Sequence, residues 1–586
     1  MNMSKSLFRT KKIESILAEG SDDAHGGGGL KRVLSMKDLT FFGIAAILGA
    51  GSFSSLGGAV FRGGPGVIIL FLITAVACAF TAFCYSEFAS RIPVAGSAYT
   101  YAYASFGELF AWMIGWALIM EYSIGNIYVA YSWSDYFTSF MEKIGVHIPQ
   151  YLCTSYMEVK DAMANGSTNP DVLDAFNNAP IIGGLKIILD LPAFTINILI
   201  TMLVYRGIKE SRNFSNLMVI LKMIVVGLVI IVGGYLVFSH GLTANWMPAN
   251  TEGVKSFMPN GFKGVMAAVS AVFFAYIGFD AVSVLAEESK NPQRDLPRGM
   301  LLSLVICTVV YILLTLVLTG AVNYQKFDGV GDPLAFIFEK ENLNIGWMQF
   351  FVAIAAVIAM TSVLLVFQMG QPRIWMSMSR DGLMPPLFQK IHPKYKTPSF
   401  ATIVTGFVVG IPILFTDKTF VLDFTSIATL FAFVLVCGGV LLIPRKEKQP
   451  GKFNIPFVNG QYIFPLIVLG SLFLAQKLSA TYFTDLFNFD FSSNVDYRSG
   501  KSSYMDMATP NITLIIFWLS ALLLSVVTFI KKYSLIPLMG LITCMYLLTN
   551  MTKNNWAWFL GWLLIGLIIY FLYGYKKSKL SPTSTL

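Results

Sequence analysis

Charged residues are scarce in this sequence. Only 13% of its 586 residues are Asp, Glu, Lys or Arg, whereas a soluble globular domain carries about 25%. Hydrophobic residues make up 55% of the chain, and the mean hydropathy is +0.64. This composition excludes a water-soluble domain and predicts an all-α polytopic membrane protein in contact with lipid. The formal net charge of +9 does not indicate a nucleic-acid partner, because the Lys and Arg residues lie in loops between apolar runs.

Histidine and cysteine are also few, with four and six residues, and no two cysteines form a CxxC pair. Five of the six cysteines lie in apolar runs. We therefore expect no disulfide framework, no metal site and no cofactor. A membrane-embedded enzyme would need a nucleophile and a base, or a metal cluster, inside the apolar runs. These runs contain no histidine, so we expect a protein that is not an enzyme.

The N-terminal sequence lacks the apolar stretch of a cleavable signal peptide, since it begins MNMSKSLFRTKKIES. We interpret residues 1–39 as a basic cytoplasmic segment. Within it, SDDAHGGGG (21–29) is predicted to be a flexible linker, and LKRVLSMKDL (30–39) an amphipathic helix at the membrane surface.

Fourteen apolar runs follow, each close to the length of about 20 residues that spans a bilayer. They are 40–61, 66–89, 106–130, 191–208, 214–238, 262–284, 300–322, 346–371, 399–416, 424–444, 462–479, 511–530, 533–550 and 556–574. If the N-terminus is inside, two thirds of the Lys and Arg residues fall in cytoplasmic segments, as the positive-inside rule requires. We therefore predict a multi-pass protein of the plasma (inner) membrane, with both termini cytoplasmic, including the tail 575–586.

Glycine interrupts two of these runs. Gly49, Ala50 and Gly51 interrupt the first, and FFAYIGFDAVS (273–283) interrupts the sixth at Gly278. Glycine inside a helix costs roughly 1 kcal/mol relative to alanine. A break at membrane depth also frees backbone groups that lipid cannot satisfy. Matched breaks in two halves of a chain predict a transporter binding site, although glycines that only permit close helix packing are the alternative.

Two facing breaks can bind a zwitterion. The N–H groups at the start of one half-helix attract an anion such as a carboxylate, and the carbonyl groups at the end of the other half-helix accept hydrogen bonds from an ammonium. No charged side chain is needed. The breaks therefore predict an α-amino acid as the substrate.

Three ionisable residues inside the runs are functional candidates, because a buried charge is costly. Lys222 lies about two turns into an otherwise apolar run. Its side chain either extends to the membrane interface (snorkelling) or faces the cavity near the break in the first helix. Burial disfavours its charged form, so it could exchange a proton as conformations alternate. Glu121 is either a network residue or a carboxylate satisfied by its neighbours. Asp280 follows the second break and is either a ligand or a helix cap.

Further charges lie at the cytoplasmic edge. Glu87 and the pair Glu287 and Glu288 are interpreted as gate and hinge charges, which would pair with Arg91 or Arg294. Ordinary surface charge is the alternative.

Seven stretches of the sequence resemble one transporter superfamily. They are GAGSF (49–53), YSEFASRIPVAGSAYTYAY (85–103), GWALIMEY (115–122), ESRNFSNLMVILK (210–222), FFAYIGFDAVSVLAEESKNPQRDLPRG (273–299), PRIWMSMSRDGLMP (372–385) and PLMGLITCMYLLTNMTKNNWAWFLGWLLIGLIIYFLYG (537–574). These motifs are similar to those of the amino acid–polyamine–organocation superfamily, and specifically of its cationic amino acid transporter branch.

The resemblance implies two inverted five-helix repeats of the APC (LeuT-like) fold. The first repeat would cover 40–238 (helices 1–5) and the second 262–444 (helices 6–10), with alternating access around helices 1 and 6. Four further helices would follow at 462–574. Two of them, near 462–479 and 511–530, resemble the fourteen-helix members rather than the twelve-helix ones.

The resemblance also implies roles for individual residues. The backbone around the first break would bind the substrate carboxylate, and carbonyl groups of both breaks would bind its amino group. Phe274 would close over the substrate from outside, Lys222 would couple transport to protons, and Glu121 would link the site to helix 1. The implied carboxylate residues are Ala50, Gly51 and Ser52, and the implied carbonyl residues are Ile47, Phe274, Ala275 and Ile277; Gly49 and Gly278 complete the breaks. Ser52 departs from the family, in which isoleucine is usual.

Substrate choice depends on Met360, which falls where the eighth helix would meet the substrate side chain. A thioether is bulky and a poor acceptor, which favours a small neutral amino acid such as alanine over arginine. Plain packing of Met360 is the alternative. Glu121 or Asp280 could instead provide the charge for a cationic substrate.

The leading hypothesis is therefore a proton-coupled importer of amino acids with no obligate protein partner. An exchanger that swaps one amino acid for another is the second hypothesis, and Lys222 argues against it because exchange needs no proton carrier. A sensor that binds an amino acid without net flux is the third.

Overall fold

The computed structural model describes residues 7–16, 34–49, 51–92, 97–164, 170–206, 212–249, 253–395, 397–442, 453–494 and 502–581. These residues are mainly helical. The only sheet among them is a hairpin of β1 (Ile181–Ile182) and β2 (Leu185–Lys186), which pair antiparallel with Ile181 opposite Lys186.

The helices of the first half begin with a broken one. The chain forms α1 (Met36–Ile47), a π-helical turn (Gly51–Ser55), α2 (Leu56–Gly63), α3 (Val67–Arg91), α4 (Ser97–Ser105), α5 (Glu108–Lys143), α6 (Tyr156–Ala164), α7 (Pro170–Asn178), α8 (Leu191–Arg206) and α9 (Arg212–Ser239).

The second half repeats this pattern of a broken helix followed by long ones. It forms α10 (Gly261–Met266), α11 (Val269–Phe274), a 3₁₀ helix (Asp280–Glu288), α12 (Pro292–Ala321), α13 (Pro333–Phe336), α14 (Gly346–Arg380), α15 (Ser399–Ile413) and α16 (Lys418–Leu442). The C-terminal part forms α17 (Gly460–Leu478), α18 (Tyr482–Leu486), α19 (Tyr504–Lys531), α20 (Leu535–Leu548), α21 (Lys553–Ile569), a π-helical turn (Tyr570–Gly574) and α22 (Tyr575–Lys577).

Helices lie on all fourteen predicted runs, but the number of membrane crossings stays a prediction. Within the described ranges, eight helical stretches are long and apolar enough to cross a membrane, and α8, α15 and α20 are shorter apolar helices. One of the eight, Met36–Arg91, is 56 residues long and covers α1 to α3. The third predicted run lies in α5, which is less apolar because it contains Glu121, Asn126 and Asp135.

The first helix begins later than the amphipathic pattern predicts. Residues 30–33 lie outside the described ranges. Leu34 then forms a β-bridge with Ser289, and Ser35 has an extended backbone with φ −94° and ψ 171°. The Oγ and N of Ser35 donate to the Asp38 carboxylate at 2.6 and 2.8 Å, which caps α1 at Met36. Of the described part of 30–39, Leu34 and Ser35 are therefore not helical, whereas residues 36–39 are helical as predicted and form the start of α1.

Corresponding helices of the two halves pack against each other. Helix α3 packs on α12, α5 on α14, and α8 on α15, while α16 packs on α5 and α20. One large cluster of buried apolar side chains runs through both halves. A separate, smaller cluster joins α17, α19 and α20. The broken helices therefore lie inside a scaffold built by both halves.

The two ends of the described chain meet at Glu108, the first residue of α5. Its side chain is fully buried, and it accepts hydrogen bonds from Arg9 at 2.8 Å, Tyr570 at 2.9 Å and Tyr103 at 3.0 Å, and one from Ser578. A buried carboxylate is tolerated when it is paired and hydrogen-bonded in this way. The N-terminal and C-terminal segments are thus joined through one buried anion.

Candidate functional site

The first break has the position that its glycines predict. Helix α1 makes its last regular hydrogen bond from Leu48 N to Ile44 O at 2.9 Å. The N–H of Gly49 then turns back to Ile47 O at 2.9 Å. The chain resumes as the π-helical turn at Gly51; Ala50, one of the predicted carboxylate residues, lies outside the described ranges.

Ser52, the residue that departs from the family pattern, uses its hydroxyl locally. Its Oγ donates a 3.0 Å hydrogen bond to Gly49 O, which also accepts from Ser52 N and Phe53 N at 3.1 Å. This bond stabilises the turn after the break. The hydroxyl is therefore engaged as a donor within the break.

The second break faces the first. Helix α11 ends at Phe274, and Gly278 has a φ of +115°, a conformation that side chains disfavour. A Cβ on Gly278 would lie 2.8 Å from the Cβ of Ala46, and a Cβ on Gly51 would lie 2.6 Å from the Cα of Ala275. The two breaks thus touch backbone to backbone, and close packing is one of the functions of these glycines.

Tyr311 of α12 holds carbonyl groups of both breaks, which the sequence did not predict. Its hydroxyl lies 2.8 Å from Ile47 O and 2.6 Å from Ala275 O. One phenol has one proton to donate, so the two carbonyls share it. Phe274 O accepts a 3.1 Å hydrogen bond from Ile277 N, so three of the four carbonyls expected to bind an amino group already have a partner. Only the general need to satisfy a buried tyrosine hydroxyl pointed to this residue.

Lys222 of α9 binds the carbonyl that the first break leaves free. Its side chain is fully buried, and its Nζ donates a 3.0 Å hydrogen bond to Ala45 O. In an unbroken helix the N–H of Gly49 would be the partner of this carbonyl, but here that N–H bonds to Ile47 O. The snorkelling alternative is wrong, because the ammonium points at α1 and not at the interface.

Phe274 is covered by an aromatic residue and an ion pair. The ring of Tyr128 in α5 lies 4.6 Å from that of Phe274 at 64°, and the Tyr128 hydroxyl lies 3.4 Å from Ser54 Oγ. The Nζ of Lys418 lies 5.6 Å from the centre of the Tyr128 ring and forms an ion pair with Asp135. Phe274 is only 5% exposed. We refer to Phe274, Tyr128, Lys418 and Asp135 as the lid; the closing of Phe274 over a substrate stays a prediction.

Glu121 and Asp280 are both buried, at 2% exposure each, and interact electrostatically. Within the part of the chain that the structure describes, Oε2 of Glu121 and Oδ1 of Asp280 have no hydrogen-bond partner. Asp280 is the first residue of the 3₁₀ helix, whose cap position is Phe279, and the N–H of Ala281 donates to Gly278 O at 3.1 Å. The structure therefore places two carboxyl groups beside the second break.

Met360 of α14 is fully buried. One turn further along the same helix, Val363 lies so close to Gly49 that a Cβ there would be 2.5 Å from a valine methyl group. Since residues three apart lie on one helix face, Met360 is on the face of α14 that meets the first break. Its role as a substrate contact stays a prediction.

The predicted charge pair at the cytoplasmic edge is present in part. Arg91 forms an ion pair with Glu87 within α3, as predicted. Arg294 forms an ion pair with Asp295, at 3.9 Å. The side chains of Glu287 and Glu288 lie outside what the structure describes.

Comparison with known proteins identifies the class. A model of the amino acid permease family matches residues 34–489, and a model of the C-terminus of these permeases matches residues 533–578. The chain therefore belongs to the amino acid permease family and is a membrane transport protein, not an enzyme.

Individual relatives resemble the chain over most of its length. The chain is 36% identical over 580 residues to the branched-chain amino acid permease BcaP of Bacillus subtilis, covering 99% of this chain and 100% of BcaP. It is 38% identical over 470 residues to the methylthioribose transporter of Bacillus subtilis, covering 79% and 91% of the two chains. It is 31% identical over 636 residues to the vacuolar cationic amino acid transporter 2 of Arabidopsis thaliana, covering 98% and 94%.

Proposed function

We propose that this permease imports neutral α-amino acids together with protons, by alternating access around its two broken helices. The observation that carries the proposal is the 3.0 Å hydrogen bond from the buried Lys222 Nζ to Ala45 O. This bond joins the buried ammonium group of Lys222 in α9 to a carbonyl of α1 that has lost its helical hydrogen bond at the first break.

This bond supports coupling because it depends on the position of α1. A movement of α1 away from α9 would remove the acceptor of the Lys222 ammonium. A buried charge without partners is strongly unfavourable, so the lysine would lose its proton to water that enters during the movement. Proton binding and release would then follow the same step that opens the substrate site.

The contact between the breaks supports a zwitterionic substrate. The backbone at Gly51 and Ser52 would bind the carboxylate, as in other helix N-terminal anion sites. The carbonyl of Ile277 would bind the ammonium, together with the second lone pair of Phe274 O, which also accepts from Ile277 N. Whichever of Ile47 O and Ala275 O the Tyr311 hydroxyl does not bind would add a further acceptor.

A neutral side chain is supported by Met360, which lies buried on the α14 face that meets the first break. The name of one relative, a branched-chain amino acid permease, agrees with an apolar side-chain pocket. A cationic substrate is the second candidate. It is favoured by Glu121 and Asp280, the two buried carboxyls beside the second break, and by the names of the cationic amino acid transporters.

We further propose that 40–238 and 262–444 are inverted repeats. The packing of α3 on α12, α5 on α14 and α8 on α15 supports this, because each pair holds the same place in its half. The distribution of Lys and Arg supports a plasma (inner) membrane protein with cytoplasmic termini.

Uptake into proteoliposomes tests the proposal. Radiolabelled alanine would be added with an inward proton gradient, with the gradient collapsed by a protonophore, and with unlabelled alanine, leucine or arginine as competitors. We expect accumulation only with the gradient, and stronger competition by the neutral amino acids. Uptake that does not depend on the proton gradient but requires an amino acid inside the vesicle would instead identify an exchanger.

A further inference from the structure

A cavity of about 360 Å³ lies beside the lid and apart from the two breaks. Three elements line it: Glu158 and Asp161 of α6, the start of α16 with Asp417 and Lys418, and the start of α21 with Asn555. Its volume is within the range of small-molecule sites, which is about 300–1,000 Å³. Lys418 belongs both to this cavity and to the lid, since it forms the ion pair with Asp135.

One wall of the cavity is acidic. Glu158 and Asp161 are three residues apart on α6, so they lie on one face of that helix. Asp417 adds a third carboxylate, whose Oδ1 accepts a 2.8 Å hydrogen bond from Phe420 N at the start of α16. The one cation of the lining, Lys418, is paired with Asp135 outside the lining. The carboxylates of Glu158 and Asp161 thus favour a ligand with more than one positive group.

Another part of the lining attracts an anion. Asn555 is 2% exposed, and its side-chain Nδ2 has no hydrogen-bond partner among the residues that the structure describes. A buried amide donor without an acceptor is costly. The first turn of α21 contains no acidic residue, and its cap is the neutral Thr552, whose Oγ1 lies 3.4 Å from Asn555 N. The positive end of the α21 dipole is therefore available to a carboxylate.

We propose that this cavity is a second binding site, which takes an α-amino acid with a cationic side chain. The ligand carboxylate binds at Asn555 and the start of α21, and its two cationic groups bind Glu158 and Asp161. A metal ion fits less well, because no group of three metal-ligating side chains able to hold an ion occurs in the described ranges.

Occupation of the cavity also acts on the lid. A carboxylate near Lys418 competes with Asp135 for the lysine, and this weakens the ion pair that lies over Tyr128. The cavity therefore serves as an entry site that loosens the lid before the ligand reaches the breaks. The position of the cavity on the outer side of the membrane rests on the orientation given in the proposed function. Binding of the ligand to the cavity does not depend on that orientation.

Equilibrium binding to the purified full-length protein in detergent at pH 8 tests the proposal. Radiolabelled arginine would be titrated in the presence of saturating unlabelled alanine, which occupies the site at the breaks. Glu158→Gln, Asp161→Asn and Asn555→Asp would be compared with wild type. Glu341→Gln, an exposed carboxylate outside the cavity, is the matched control.

We expect wild type and Glu341→Gln to bind arginine that alanine does not displace. Each cavity variant should weaken this binding about tenfold, as the loss of one charge-assisted hydrogen bond does, while alanine binding stays as in wild type. The unfolding temperature should be unchanged in Glu158→Gln and Asp161→Asn, which alter exposed residues. Complete displacement of arginine by alanine, or arginine binding unchanged in all three cavity variants, would overturn the proposal. Because no gradient is present, the result does not depend on whether transport is coupled to protons.

Discussion

The Nζ of Lys222 in α9 and the carbonyl oxygen of Ala45 in α1 lie 3.0 Å apart. The hydrogen bond exists because α1 stops being regular two residues later, where Gly49 N bonds to Ile47 O instead of Ala45 O. The break and the lysine are therefore parts of one arrangement: the glycines free a carbonyl, and a side chain from another helix satisfies it.

Adding a methyl group at Gly51 should stop transport. The Cβ of Gly51→Ala would lie 2.6 Å from the Cα of Ala275, so the two breaks would have to separate, and overpacking of this kind typically costs about 1–3 kcal/mol. Alanine uptake should fall at least about tenfold. Gly58→Ala is the matched control, since a Cβ there meets nothing within 4 Å. Equal activity of both variants would show that the breaks need not touch.

Removing the hydroxyl of Tyr311 should destabilise the protein and make it more dependent on substrate. Tyr311→Phe removes the donor of Ala275 O, whereas Ile47 O keeps the N–H of Gly49 at 2.9 Å. An unsatisfied buried carbonyl costs about 1–3 kcal/mol. A bound ammonium would replace the lost donor, so alanine should raise the unfolding temperature more in Tyr311→Phe than in wild type. The control is Tyr276→Phe, whose hydroxyl donates to Phe71 O, at 3.0 Å, and not to the carbonyls of Ile47 and Ala275. A smaller shift in Tyr311→Phe than in this control would contradict binding of the amino group at these carbonyls.

Loss of Arg9 should lower stability through Glu108. The carboxylate is fully buried, and a buried ion pair that loses one partner costs about 3 kcal/mol. Thermal unfolding in detergent, followed by tryptophan fluorescence, should show a lower midpoint for Arg9→Met, and Arg9→Met combined with Glu108→Gln should recover much of it. Lys12→Met, an exposed neighbour, should leave the midpoint unchanged. No recovery in the double variant would mean that Arg9 acts by packing and not by charge.

Arginine binding in the cavity beside the lid should weaken as the pH falls. Desolvation within the cavity and the charge of Asp135 raise the pKa of Glu158 to about 7, against the opposing effect of Lys418. The other ionisable groups that face it are Asp417 and Asp161. Below pH 7 Glu158 is protonated and no longer attracts a cation, so affinity should fall between pH 8 and pH 6. A Glu158→Gln variant should show a flatter pH dependence over this range; the same slope in both proteins would assign the titration to another group.

The sequence predicts the helices and the breaks well, because both depend on local pattern. Apolar runs locate the helices, and Gly49, Gly51 and Gly278 locate the interruptions. The family resemblance also singles out Lys222. The acceptor of this lysine could not be predicted, because the Ala45 carbonyl is backbone and has no side-chain signal.

Long-range partners were missed for the same reason. Tyr311 is one tyrosine among 25 in the sequence, and only the fold brings its hydroxyl to carbonyls 264 and 36 residues away. The ion pair of Asp135 and Lys418 joins α5 to α16 across 283 residues. Sequence spacing carries no information about such contacts.

The measurement that tests the central claim most directly compares two modes of alanine transport in the Lys222→Met variant. Methionine keeps the apolar length of the lysine side chain but cannot carry a proton. Uptake driven by an inward proton gradient is measured in one set of proteoliposomes, and exchange of labelled for unlabelled alanine, without a gradient, in another. Lys326→Met, an exposed lysine in the short 3₁₀ helix Tyr324–Phe327, is the control. We predict that Lys222→Met loses accumulation but keeps exchange, and that Lys326→Met keeps both. Gradient-driven accumulation at the wild-type level in Lys222→Met would contradict the role of Lys222 as the proton carrier.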